Sequence, residues 1–238
     1  MKAIIFPGQG SQKAGMAAEF EKNFKIVKEI FGRADEALKF NLSKIILNGT
    51  DEDLKKTEIT QPAILTTSFA IFSVLKNEFN FDLSKIKYFA GHSLGEYSAL
   101  LSSESISLED AVVLVHERGK FMQNAVPEGV GAMLAVMGLN IKELVSLLQN
   151  FTSKKGVCEI ANDNSLGQII LSGNKESLIE FNNILKEKKK RTIFLPVSAP
   201  FHCSLMKTAA DNMKKYLQKT DFKKPSFQLV TNVTAMPL

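Results

Sequence analysis

The sequence predicts an α/β protein in which a large domain, residues 1–127 and 197–238, is interrupted by a small ferredoxin-like domain, residues 128–196. Three observations predict it. The chain opens with an apolar strand, Lys2–Phe6, a glycine turn, Pro7-Gly8-Gln9-Gly10-Ser11, and a helical stretch, Met16–Ile30. A second strand, Ile86–Ala90, runs into another glycine turn, Gly91-His92-Ser93-Leu94-Gly95, and again into a helix. Between Pro127 and Pro196 the periodicities change to a β-α-β-β-α-β order, the signature of a ferredoxin-like unit.

The remaining elements follow from spacing. A helix is expected over Asp35–Leu47, and another from Thr60-Gln61-Pro62 to Asn77. In the latter Ala63, Ile64, Thr67, Ala70, Ile71, Val74 and Leu75 recur every three or four positions and so face a core. Ser107, with Asp110 three positions on, starts a helix that continues toward Gln123. The small domain reads as strand Ala132–Met137, helix Ile141–Gln149, strands Val157–Ala161 and Gln168–Ser172, helix Lys175–Glu187 and strand Thr192–Leu195. Helix Ser204–Gln218 and strand Gln228–Asn232 return to the large domain, so residues on either side of the insertion are expected to meet in the crevice between domains.

With 45% hydrophobic and 23% charged residues and no low-complexity tract, the 238-residue chain has the composition of a folded protein rather than a disordered one. Its apolar stretches are interrupted before the roughly 18 residues of a membrane helix, and Met1–Phe6 leads into a turn rather than a cleavage region. The expectation is a cytoplasmic protein with no membrane insertion. Cys158 and Cys203 form neither a CxxC pair nor a disulfide framework, in keeping with a reducing compartment. The formal charge of +5 favours an acidic partner without naming one. Its densest run, Lys186–Arg191, is either a solvated helix end or a steering surface for an acidic carrier; no nucleic-acid motif accompanies it.

Gly91-His92-Ser93-Leu94-Gly95 fits the G-x-S-x-G nucleophile elbow, in which flanking glycines permit a strand-to-helix turn sharp enough to project a serine hydroxyl. Backbone N–H groups at the new helix terminus can hold an oxyanion. A serine nucleophile needs a base. His92 diverges from its neighbour and reads as packing, and His116 reads as an ordinary helix residue. His202 follows Ala199-Pro200-Phe201 before a helix, and is either a base aimed into the crevice or a structured loop residue. Asp163, Asp211 or a backbone carbonyl could orient it, and Cys203 reads as a buried structural cysteine. Arg118, four residues after Leu114 and four before Met122, places a guanidinium on a partly apolar helix face: a salt bridge, or a fork for a substrate carboxylate. Gln9 lies in a tight turn that lacks both phosphate-binding and dinucleotide spacings; beside a catalytic Ser93 it becomes a candidate for the oxyanion pocket. The histidines and cysteines form no metal-ligand motif.

Several ordered motifs then agree. Phe6-Pro7-Gly8-Gln9-Gly10-Ser11-Gln12, Thr60-Gln61-Pro62-Ala63, Gly91-His92-Ser93-Leu94-Gly95-Glu96-Tyr97, Arg118 through Met122-Gln123, Gly129–Met133, Cys158–Asn162, Ser198–Cys203 and Thr231–Ala235 resemble the malonyl-CoA:acyl-carrier-protein transacylase family across nearly the whole chain. The resemblance implies a large α/β-hydrolase-like acyltransferase domain carrying the ferredoxin-like insertion. It also implies a ping-pong transfer in type II fatty-acid synthesis, from coenzyme A through a Ser93 ester to the phosphopantetheine thiol of acyl carrier protein. On matching positions His202 would move protons, Gln9 and the Leu94 N–H would serve the oxyanion, and Arg118 would take malonyl's free carboxylate. Met122 and Asn162 would line the substrate site, and Phe201-His202 resembles the malonyl-selective form. No tightly bound cofactor is implied: malonyl-CoA is the substrate and coenzyme A the product. Family members usually continue through a further C-terminal segment, so the large domain is expected to be C-terminally incomplete. A serine hydrolase, or a noncatalytic carrier-binding remnant, are the competing classes.

Overall fold

The computed structural model describes residues 2–197 and 199–238; Met1, and Ser198 at the start of the Ser198–Cys203 motif, lie outside the described residues. The chain divides into two compact units, Met1–Lys120 with Lys215–Leu238, and Phe121–Lys214.

In the first unit β1 (Lys2–Phe6), β2 (Ile86–Gly91) and β7 (Gln228–Val230) form a parallel sheet in the order β1-β2-β7. Phe6 pairs with Gly91 and Ala90 with Val230, so all three strands leave the sheet at the same end. That register sets the Pro7–Gly10 turn beside the Ser93 turn. Phe6, Phe72 and Phe89 pack edge to face, with ring centroids 5.7–6.2 Å apart, and Phe227 stacks on Phe89 at 4.4 Å.

The helical expectations need several corrections. Met16–Ile30 is not one helix: α1 (Ala18–Asn23) stops at Phe24, which is extended (φ −126°, ψ 119°), and α2 (Lys25–Leu38) begins there. Phe24 sits between Phe20 and Phe79, at 5.9 and 5.8 Å, and this packing outweighs helix continuity. Asp35–Leu47 is likewise divided. Lys39 takes a left-handed conformation (φ 61°), and α3 (Leu42–Asn48) is folded back by Asp35, whose carboxylate accepts from both Ser43 N–H (2.8 Å) and Ser43 Oγ. The short α4 (Asp51–Lys55) was not anticipated, although its capping box is legible: Asp53 N–H donates to Thr50 Oγ1 at 3.1 Å and Thr50 N–H to Asp53 Oδ2 at 3.0 Å.

Helix α5 (Thr57–Asn77) carries Pro62 inside it rather than at its start. Proline has no N–H for the carbonyl four residues back, here Glu58. His116 Nδ1 supplies the missing donor, 2.8 Å from Glu58 O. The residue read as an ordinary helix position thus repairs a break in its neighbour. By length and composition α5 is also apolar enough to span a membrane, but 67% of that window is buried within the protein. Two further helices, α6 (Gly95–Ser102) and α7 (Leu108–Asn124), complete the elements that build the site.

In the second unit β3 (Gly131–Met137), α8 (Ile141–Gln149), β4 (Cys158–Ser165), β5 (Gln168–Asn174), α9 (Lys175–Glu187) and β6 (Arg191–Phe194) follow the β-α-β-β-α-β order. The sheet is antiparallel, β4-β5-β3-β6, as the ferredoxin-like arrangement requires. Strand alternation sorts its faces. Leu134, Val136, Ile169 and Leu171 pack with Leu144, Leu178, Phe181 and Leu185; Met133, Ala135 and Ile170 pack on the other side with Met122, Val126, Ala199 and Phe201. A further helix, α10, spans Lys207–Leu217. The basic run Lys186–Arg191 falls at the C-terminal end of α9, where cations favour the helix dipole, and is mostly exposed.

Candidate active site

The turn after β2 is built by what its glycines lack. A Cβ on Gly91 would stand 1.9 Å from the Gly95 carbonyl carbon, and one on Gly95 would stand 2.5 Å from Phe6 O. Both positions therefore admit only glycine. Between them Ser93 is held at φ 54°, a left-handed conformation that costs a non-glycine residue on the order of 1–2 kcal/mol. His92 donates its backbone N–H to Phe6 O at 3.1 Å, and its ring lies against Gly8.

The N–H groups of the turn are divided in a useful way. Ser93 N–H donates to Asn232 Oδ1 at 2.8 Å and Gly95 N–H to His92 O at 2.9 Å. Among the described residues no acceptor is bonded to Leu94 N–H, which lies between them where α6 begins. It is available to an incoming oxygen. Gln9, half-buried in the adjacent turn, shares this end of the sheet.

Arg118, on α7, reaches Ser93. Its Nη2 donates to Ser93 Oγ at 3.0 Å and its Nη1 to Oε1 of the buried Gln61 on α5 at 2.6 Å, while its guanidinium lies 5.7 Å from the Tyr97 ring centre. The helices approach closely here because Gly119 has no side chain: a Cβ would lie 2.6 Å from Glu58 Cα and from Thr57 O. Burial pushes the Arg118 pKa down, with Tyr97 and Glu96 acting in the opposite sense; a guanidinium nevertheless stays charged. Glu96 and Tyr97 are both pushed up by burial. For Glu96 the hydrogen bonds from Asn232 and the charge of Arg118 oppose the shift, and for Tyr97 the charge of Arg118 does. Among the described residues no carboxylate lies within ion-pair distance of Arg118, so the salt-bridge reading does not apply.

In the second unit His202 is half-buried, with φ 61°. Its loop is fixed on both sides. Phe201 is buried, and Pro200 sits where a Cβ on Gly131 would be, 2.3 Å from Pro200 Cγ. Ser204 donates from N–H and Oγ to Glu159 at 2.7 and 2.8 Å. Met122 and Phe201 share one core cluster, and Asn162 lies on β4 immediately after the bulge that skips Ala161. Asp211 pairs with Lys207 and Asp163 is exposed.

Gln61, Glu96 and Asn232 belong to this neighbourhood, but sequence reasoning gave none of them a role. For Gln61 the signal was present: a glutamine within a buried helical stripe needs a partner. Among the described residues no cluster of three or more His, Cys, Asp or Glu side chains could hold a metal ion. A cavity of about 590 Å³ is lined by residues such as Arg33, Phe72, Lys76 and Leu101 and by none of the site residues.

The cysteines are poor nucleophiles. Burial, assisted by Glu159, pushes the Cys158 thiol up to about 12, and burial also raises Cys203, whose Sγ donates to Pro200 O at 3.2 Å. Since the thiolate is the reactive form, Cys158 stays a thiol until the pH nears that value. Iodoacetamide at neutral pH should label the native protein at both positions far more slowly than the urea-unfolded chain. Equal labelling rates would contradict this.

Residues 3–237 match the acyl transferase domain. The malonyl CoA-acyl carrier protein transacylase of Salmonella typhimurium is 43% identical over 97% of this chain and 74% of its own length. Among solved structures, FabD from Acinetobacter baumannii is 45% identical with a TM-score of 0.93, covering 99% of this chain and 74% of that one. A malonyl-transacylase in complex with its type II PKS acyl-carrier protein is 38% identical with a TM-score of 0.92, covering 99% and 75%. With an elbow serine, a guanidinium bonded to it and likeness over the full span, the chain belongs to the acyl transferase family, in its malonyl CoA-acyl carrier protein transacylase group.

Proposed function

We propose that this chain transfers malonyl from malonyl-CoA to the phosphopantetheine thiol of acyl carrier protein through an ester on Ser93. The observation that carries this reading is a half-buried guanidinium whose hydrogen-bonded partners are neutral, Gln61 and Ser93 itself, with no carboxylate within ion-pair distance among the described residues. Such a cation favours an anionic substrate group beside the nucleophile.

Ser93 Oγ attacks the thioester carbonyl while His202 accepts its proton. The tetrahedral oxyanion is held by Leu94 N–H and by Gln9. The C–S bond then breaks, the coenzyme A sulfur leaves with the proton from His202, and malonyl remains as the Ser93 ester. The pantetheine thiol repeats the sequence in reverse: it gives its proton to His202, attacks the ester carbonyl, and Ser93 Oγ leaves and is reprotonated. Arg118 takes the distal carboxylate of malonyl, and Met122, Asn162 and Phe201 line the substrate site. Neither half-reaction calls for a metal or a redox cofactor. The relative solved with its carrier protein supports the choice of acceptor. We place the reaction in the cytoplasm, which suits two cysteines that are both free thiols.

Intact-mass measurement after mixing with malonyl-CoA should show one malonyl adduct, located on Ser93. Holo carrier protein should remove it much faster than water does. Equal removal by water would make the protein a hydrolase, and carrier binding without any adduct would make it a noncatalytic module.

Arg118→Ala should impair malonyl-CoA more than acetyl-CoA, because only malonyl loses an ion pair and its two directional bonds. A charge-assisted hydrogen bond is commonly worth about 1.5–3 kcal/mol, equivalent to a shift in relative kcat/KM of about tenfold or more. Equal losses for both donors in a folded variant would remove Arg118 as the selector.

A further inference from the structure

Strand β7 ends at Val230, two residues short of the expected Asn232, yet its pairing with β2 does not end there. Beyond the Ala90–Val230 pair, the Asn232 side chain takes over. Its Oδ1 accepts from Ser93 N–H at 2.8 Å, and its Nδ2 donates to Gly91 O at 2.7 Å and to Glu96 Oε2 at 2.8 Å. One carboxamide therefore spans the turn from the residue two before the nucleophile to the residue three after it. The orientation of the amide is not arbitrary. Ser93 N–H can only donate and Gly91 C=O can only accept, so the oxygen must face the first and the nitrogen the second.

We infer that Asn232 is the positioning residue of the nucleophile: its carboxamide acts as a surrogate strand peptide that locks the left-handed Ser93 and leaves Leu94 N–H as the donor for the oxyanion. A strained conformation persists only where its surroundings over-determine it. The glycines allow the turn sterically; Asn232 supplies the directional bonds that hold it. By occupying Ser93 N–H it also removes a competing donor from the site. The inference rests on Ser93 being the nucleophile.

The test is the rate of Ser93 malonylation in three proteins, the parent chain, Asn232→Ala and Asn232→Asp, each with thermal unfolding followed in parallel. N232A should form the adduct about 10- to 100-fold more slowly, the cost of misplacing a reacting group by a fraction of an ångström to an ångström, with little change in the malonyl-CoA concentration giving half-maximal rate. N232D keeps an acceptor for Ser93 N–H but loses both donors and sets a carboxylate against Glu96, with Arg118 and Tyr97 as the other ionisable groups nearby. Its rate relative to the parent should climb as pH falls and the carboxyl pair gains a proton, a response that a merely structural asparagine would not give. An adduct on Ser93 at parental rate in folded N232A overturns the positioning role and leaves the nucleophile standing. Should N232A fail to fold, a pH-independent rate ratio for folded N232D overturns it equally. A parent chain whose adduct lies elsewhere than Ser93 removes the nucleophile assignment and this role with it.

Discussion

Ser93→Ala is expected to abolish the malonyl adduct, with no mass increase after prolonged incubation with malonyl-CoA. Alanine offers no oxygen to acylate, and neither cysteine can substitute for it, since burial holds both thiols in the protonated form at neutral pH. The fold should survive, because the turn depends on Gly91, Gly95 and Asn232 rather than on the hydroxyl. Ser93→Gly provides the control. It is equally unable to form the ester but relieves the left-handed strain, so it should melt above S93A by an amount corresponding to about 1 kcal/mol. A persistent single adduct in both variants would exclude Ser93.

His202→Ala is expected to slow adduct formation by about 10²–10⁴-fold, the usual contribution of a positioned general base. The loop should keep its shape, since Phe201, the Pro200–Gly131 contact and the Ser204–Glu159 bonds fix it independently of the imidazole. His202 itself is left-handed, and alanine bears that conformation less well than asparagine does. Comparing H202A with Asn at the same position separates backbone strain from loss of the base. Both should be slow, and the asparagine variant should be the more stable. Malonylation at parental rate with an unchanged circular dichroism spectrum would end the acid–base assignment.

What the sequence disclosed follows from how local each feature is. The elbow was legible because its determinants are consecutive: Gly91, Ser93 and Gly95 sit within five residues and need only β2 and α6 on either side. The β-α-β-β-α-β order was legible because strand and helix periods differ. The breaks at Phe24 and Lys39 were hidden, since both depend on side chains brought from elsewhere, Phe79 in one case and the Asp35–Ser43 bonds in the other. The pairings of Asn232 and Gln61 were hidden for the same reason, although the need of Gln61 for some partner was legible. The two residues stand 139 and 57 residues from the partners that give them meaning, Ser93 and Arg118, and no periodicity spans such gaps.

Gly119 follows Arg118 on α7, and with Arg118 in its proposed role the close approach it permits bears on substrate choice in a way that its own chemistry would not suggest. The guanidinium is tethered at both ends: its root is on α7, and its tip is bonded to Gln61 on α5, one turn beyond the Thr57–Glu58 backbone that Gly119 touches. The distance between the two helix axes therefore acts as a ruler for how far the charged fork extends toward Ser93. A single added methyl would wedge the ruler open and draw the fork away from the hydroxyl, although no atom that meets substrate had been altered. With Arg118 in its proposed role, selectivity for a carboxylate is in that sense recorded in an absence of atoms, and a chain could retune it by changing a residue that never touches what it selects.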